Sequence, residues 1–138
     1  MNLNHLNLTV TNVTEAIDFF ETYFDFSCVA TKGENMIAVL KGDDYFELVL
    51  MNASMNKKGD GSYPDAFHIG FIMDTQEEVI KAYKKLKTGG ITLEREPKKI
   101  RENFGFYFYY DKIMIEVSAL IKDDDDDDIA LDSSMHLI

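Results

Sequence analysis

The chain has 138 residues, 46% of them hydrophobic, enough for one domain or for two small modules sharing a core. A net charge of −11 with no clustered basic face gives a phosphate backbone nothing to be attracted to and is repelled by anionic lipid, which excludes nucleic acid and membrane surfaces as partners. Cys28 is alone, no apolar run approaches bilayer length, and the first residues carry no basic-then-apolar leader, so the expectation is a reduced, cytoplasmic protein.

Residues 3 to 10 alternate, with Leu6, Leu8 and Val10 on one face and His5, Asn7 and Thr9 on the other, the pattern of a half-buried strand. Asn12, or Thr14, is placed to cap a helix on which Val13, Ile17, Phe20 and Phe24 recur at three- and four-residue steps. Phe26 to Thr31, Met36 to Leu40 and Tyr45 to Met51 read as short strands, parted by Lys32-Gly33-Glu34-Asn35 and Gly42-Asp43-Asp44 as turns. The first module is therefore βαβββ, over about residues 1–51. Residues 52–65 hold Asn, Ser, Lys, Gly and Pro without apolar periodicity and form a crossover.

The second module, 66–120, repeats the scheme. It has a strand at Phe67 to Met73, a helix from Gln76 to Lys87 stopped by Gly89-Gly90, and strands near Ile91 to Arg95, Phe104 to Tyr110 and Ile113 to Ala119. The fold class is α+β, with the modules together making one domain over 1–120. Beyond it, 121–138 is an acidic tail: Asp123 to Asp128 repel one another and no apolar periodicity offsets the entropy of ordering them. It carries a net −6, leaving −5 on the body. Residues 129–131 and 135–138 retain enough apolar character to dock as a short terminal segment, and His136 reads as exposed and idle.

The duplication carries the chemistry. His5 and His68 open the two modules 63 residues apart, and each is followed by a late strand with one outward Glu, Glu47 and Glu116, at spacings of 42 and 48. In each strand the aliphatic face is free to pack under a helix, while the face with the ionisable group looks away from it. Taken singly, a His or Glu on a solvated sheet face needs no chemistry. Two imidazoles and two carboxylates set by a repeat suit a divalent first-row metal such as zinc, nickel, cobalt, iron or manganese, with positions left for water and substrate. The aromatic run Phe104 to Tyr110 reads mainly as strand packing, and Cys28 as a small buried group with no basic neighbour to activate it.

The paired modules, the opening NHLNLTVTNVTEAIDFFETYFDF, the central FHIGFIMDTQEEVIKAYKKL and the closing GFYFYYDKIMIEVS resemble the vicinal oxygen chelate superfamily. That group includes glyoxalase I, extradiol dioxygenases, fosfomycin-resistance transferases and bleomycin-resistance proteins. The resemblance implies two βαβββ units forming an open curved mixed sheet around a metal, helices on the outer face, and commonly a homodimer. It implies His5, Glu47, His68 and Glu116 as ligands, a set similar to bacterial glyoxalase I. His5, His68 and Glu116 alone would match the His, His, Glu triad of dioxygenases and fosfomycin enzymes.

A glyoxalase-like member would be a metal-dependent lyase or isomerase acting through a metal-stabilised enediolate, with Glu47 or Glu116 as base. Two departures stand out. Tyr110-Asp111-Lys112-Ile113 is shorter than the family's usual Asp-Pro-Asp-Gly turn, and Thr9 stands where glyoxalase I tends to place an Arg for the glutathione carboxylate. Asn7, Thr9, Tyr45, Phe106, Tyr107 and Tyr109 would line an aromatic, weakly polar pocket for a small-molecule substrate instead. The competing readings are an extradiol-type dioxygenase, disfavoured because the body holds no spare His, and a bleomycin-resistance-like binding protein without metal.

Overall fold

The computed structural model describes residues 1–59 and 61–122 and divides the chain into two compact units, Met1–Tyr63 and Pro64–Ile138. The readings made for Asp123 to Asp128, for residues 129–138 and for His136 lie outside the described residues. Among the described residues no helix is long and apolar enough to cross a membrane.

The first unit runs β1 (His5–Val10), α1 (Val13–Phe24), β2 (Ser27–Lys32), β3 (Ile37–Lys41) and β4 (Glu47–Asn52). Its four-stranded sheet has the order β1-β4-β3-β2, with β1 parallel to β4 and the other pairs antiparallel. Alternation along the strands sends Leu8, Val10, Ala38, Leu40, Leu48 and Leu50 into the core. Against these, α1 lays Val13, Ala16, Phe19, Phe20 and Phe24. Phe20 is fully buried, edge-on to Phe19 at 5.0 Å and to Phe26 at 5.9 Å, and burying a side chain of this kind contributes about 2–3 kcal/mol. Of the two cap candidates Asn12 serves: its side-chain oxygen accepts the Glu15 amide at 3.0 Å, and Asp25 ends the helix in the left-handed region.

β1 stands at the end of this sheet, so alternate backbone groups point away from β4. At Thr9 they are taken up by Tyr63, whose hydroxyl accepts from Thr9 N and donates to Thr9 O, both at 2.8 Å. One phenol thus satisfies a donor and an acceptor that the ladder leaves over.

The second unit repeats the order with β5 (His68–Met73), α2 (Gln76–Thr88), β6 (Lys98–Ile100), β7 (Asn103–Tyr110) and β8 (Ile113–Leu120), arranged β5-β8-β7-β6. Both units are βαβββ with a mixed sheet, as the sequence predicts. α2 is capped by Thr75, whose side-chain oxygen accepts the Glu78 amide, and stopped at the paired glycines, of which Gly90 takes the positive φ. It buries Val79, Tyr83 and Leu86 toward a floor of Ile113, Ile115, Val117, Phe106 and Phe108.

Two elements differ from the sequence expectation. The strand predicted at Ile91 to Arg95 is displaced to Lys98–Ile100, because the two-residue turn Arg101-Glu102 fixes the pairing Lys98↔Gly105 and Pro97, lacking an amide, stands where the ladder stops. Tyr45 is not in a strand. It closes a 3-10 turn, Asp43–Tyr45, with φ of 62°, and β4 begins only at Glu47.

The internal repeat is also less strict than residue spacing implies. In the first unit His5 pairs directly with Glu47. In the second, His68 pairs with Met114, and Glu116 lies beside Gly70, two residues further along. By register the counterpart of Glu116 in the first unit is Val49, opposite Asn7.

Candidate metal and substrate site

In the second unit the polar face of the sheet gathers a defined group. His68 Nδ1 lies 3.1 Å from the carbonyl of Ala66, an acceptor only, so Nδ1 carries the proton and donates it. The other ring nitrogen, Nε2, stands 3.7 Å from Glu116 Oε1. A carbonyl behind one ring nitrogen and a carboxylate before the other is the arrangement that orients a metal-binding imidazole. Between them, at Gly70, nothing lies within 4 Å of where a Cβ would stand. The imidazole and the carboxylate are donor types that a divalent first-row cation takes, and Gly70 leaves this face of the strand open.

Tyr107 is the direct cross-strand partner of Glu116, and its ring meets the His68 ring edge-on at 5.9 Å. Burial holds its hydroxyl above the ordinary tyrosine value, helped by the negative charge of Glu116 and a hydrogen bond to it, while the Arg101 cation pulls the other way. The phenol therefore keeps its proton and donates to the Glu116 carboxylate. A cavity of about 270 Å³ opens here, lined by His68, Ile100, Arg101, Asn103, Tyr107 and Glu116. That volume suits a small ligand.

In the first unit the donors are engaged differently. His5 Nδ1 is 2.8 Å from Asn4 Oδ1, and the His5 ring is exposed. Glu47 lies 3.9 Å from Lys41 Nζ, which also stands 6.0 Å from the ring centre of Tyr45. Asn7 points its amide at Met51 Sδ, 3.6 Å away, and Thr9 is tied by its backbone to Tyr63. Among the described residues no group of three or more His, Cys, Asp or Glu side chains is gathered closely enough to hold an ion.

Of the predicted pocket residues, Tyr107 lines the cavity and Tyr109 is largely exposed two residues further along the same strand. Phe106 requires correction. It pairs with Val117 and not with the Glu116 row, is 2% exposed, and packs edge-on against Tyr83 of α2 at 5.4 Å. Strand alternation puts neighbours 106 and 107 on opposite faces, so both cannot line one pocket. Ile100, Arg101 and Asn103 were missed. Their signal is the hairpin turn itself, which the misplaced strand at 91–95 obscured.

A family model described as Glyoxalase/Bleomycin resistance protein/Dioxygenase superfamily matches residues 2–126. The chain belongs to this superfamily. A solved structure of a possible glyoxalase from Bacillus cereus is 38% identical, covers 85% of this chain and 97% of that one, and superposes with a TM-score of 0.71. Lactoylglutathione lyase from Agrobacterium tumefaciens is similar at 15% identity, over 86% of this chain and 92% of that one, with a TM-score of 0.67. A genomically encoded fosfomycin resistance protein from Listeria monocytogenes is similar at 19% identity, over 88% and 94%, with a TM-score of 0.68. At such identities the last two show that the superfamily's fold is shared, and nothing about chemistry. No curated protein is similar to this chain.

Proposed function

We propose that the chain is a glyoxalase-like, metal-dependent lyase or isomerase acting on a small substrate that offers neighbouring oxygens, with His5, Glu47, His68 and Glu116 as the metal donors. The observation that carries this reading is the His68–Glu116 pair, with the imidazole oriented by Ala66 and open space above Gly70. Support also comes from the likeness to the possible glyoxalase of Bacillus cereus. When bound, a divalent cation would supply positive charge that favours loss of a proton from the carbon beside a chelated oxygen.

The chain's own groups have distinct parts. Ala66 holds the His68 ring, Gly70 leaves the approach open, and Tyr107 steadies Glu116 by donating to it. The Glu47 side chain is 40% exposed against 16% for Glu116, so its carboxylate is the more accessible of the two to a substrate carbon. We assign the role of base to Glu47, with Glu116 chiefly a ligand. A homodimer and a cytoplasmic setting belong to the same proposal.

The test is metal content and activity together. Native protein should retain a stoichiometric zinc, nickel, cobalt, iron or manganese ion, and His68→Ala and Glu116→Gln should each lose it. Glu47→Gln should weaken metal retention less than Glu116→Gln does while losing at least a hundredfold in turnover of methylglyoxal with a thiol or of a related oxygen-chelating substrate. Metal-free native protein that stays metal-free on reconstitution would overturn the reading and favour a binding protein.

A further inference from the structure

The second sheet ends in β6, and that edge is basic. Lys98 and Lys99 are two of its three residues, Lys98 is exposed, and neither joins an ion pair among the described residues. Strand alternation sends the two side chains to opposite faces, so the edge is positive on both. Lysines on a short edge strand keep neutral strands off, and they attract a chain of opposite charge.

Such a chain begins close by. Ile121 and Lys122 come straight after β8, and Asp123 to Asp128 follow them. The Ile121 amide donates to the Glu102 carbonyl at 2.9 Å, and Glu102 belongs to the turn that joins β6 to β7, so the chain leaves β8 already tied to that hairpin. In the register Lys98 lies across Gly105 from Ser118, and Ile100 across Asn103 from Leu120. Crossing from β8 over β7 to β6 is two strand spacings, about 10 Å, and running back from the level of Ile121 to that of Ser118 is about 10 Å more. An extended chain covers about 3.3 Å per residue, so Lys122 to Asp127 are long enough to reach Lys98. The other run of lysines is less well placed. α2 starts just past the end of β5, level with Ala119, and packs back along the sheet, which carries Lys84, Lys85 and Lys87 away from Ile121.

We propose that Asp123 to Asp128 are the intramolecular occupant of the β6 edge, held against Lys98 and Lys99 by charge. The contact needs opposite charge and reach, with no buried apolar surface and no metal, so it stands apart from the catalytic reading above. A tether this short keeps the run at about millimolar effective concentration beside the lysines, and a second chain competes poorly with that. Ile100 lines the cavity of the second unit, so a run seated on β6 stands at the cavity rim and presents negative charge to whatever enters.

The experiment compares the full chain with a full-length variant in which each of Asp123 to Asp128 is replaced by Asn. Lysine acetylation rates are read residue by residue by mass spectrometry, with Lys81 and Lys84 of α2 as internal standards. In about 20 mM salt Lys98 and Lys99 should react about threefold or more slowly in the wild type than in the variant, and in about 0.5 M salt the difference should vanish, because screening then acts over a few ångströms. Carbodiimide coupling, which joins a carboxylate to an amine in contact with loss of water, should link the run to Lys98 or Lys99 within monomeric protein at low salt.

Equal acetylation of Lys98 and Lys99 in the two proteins overturns the proposal. So does protection that appears at Lys81 and Lys84 instead, which would make α2 the seat, or protection that survives high salt, which would mean that charge does not hold the contact. Protection or cross-linking that grows with protein concentration assigns the contact to a neighbouring copy and overturns the intramolecular occupant.

Discussion

Glu116 reaches His68 diagonally. Its register neighbour on β5 is Gly70, and that of His68 on β8 is Met114, yet Glu116 Oε1 lies 3.7 Å from His68 Nε2. A diagonal pair two residues out of register is within reach of long side chains, and a small residue beside it leaves the face open. Gly70, with nothing within 4 Å of where a Cβ would stand, is such a residue.

Gly70→Val should therefore separate stability from binding. The site is exposed and open, and valine suits a strand where glycine weakens it, so stability should hold or rise by up to about 1 kcal/mol. Metal affinity, read by competition with a chelator, should fall at least tenfold. A variant that retains wild-type affinity would show that the space above Gly70 is not used.

Tyr107 makes a pH prediction. Its folded-state value is raised, first by burial and then by Glu116, so the folded protein holds this proton at a pH where the unfolded chain releases it. The associated stabilisation is complete below the ordinary tyrosine value near 10 and is lost as pH rises through the folded value. Urea unfolding of wild type and Tyr107→Phe between pH 9 and 11.5 should show a shallower alkaline decline in the variant. Parallel curves would mean that the phenol is no better held than an exposed one.

Gly105 should tolerate nothing larger. It pairs with Ser118, and an added Cβ would stand 2.6 Å from Ser118 Cβ and 2.8 Å from its Cα, against strand backbone that cannot retreat. Gly105→Ala should cost about 3 kcal/mol in chemical denaturation. A loss under about 0.5 kcal/mol would contradict the closeness of β7 to β8.

Tyr63→Phe removes the hydroxyl that both accepts from and donates to the Thr9 backbone. Leaving a part-buried donor and acceptor unpaired should lower stability by about 1–3 kcal/mol. Hydrogen exchange at the Thr9 amide should quicken at least tenfold, with exchange in α2 as an internal standard that does not change. Unchanged protection at Thr9 would mean that the phenol is not what closes this end of the sheet.

The sequence alone determined the architecture. Period-two strands, a capped amphipathic helix in each half and glycine stops are local signals, and Leu8, Phe20, Val79 and Ile115 are buried as their periodicity predicts. It also placed one histidine and one glutamate on the polar face of each unit. Only the tertiary structure decided how those donors are used, because register is a relation between strands and no count along one strand contains it.

The spacings of 42 and 48 suggested equivalent pairs, whereas pairing shows Glu47 level with His5 and Glu116 two residues beyond the partner of His68. The same holds for Phe106 and Tyr107, adjacent in the chain and on opposite faces of the sheet, one packed on Tyr83 and the other turned to Glu116. Arg101 enters the pocket for a third reason of this kind: a two-residue turn fixed the β6–β7 pairing, and Pro97 set where that strand begins.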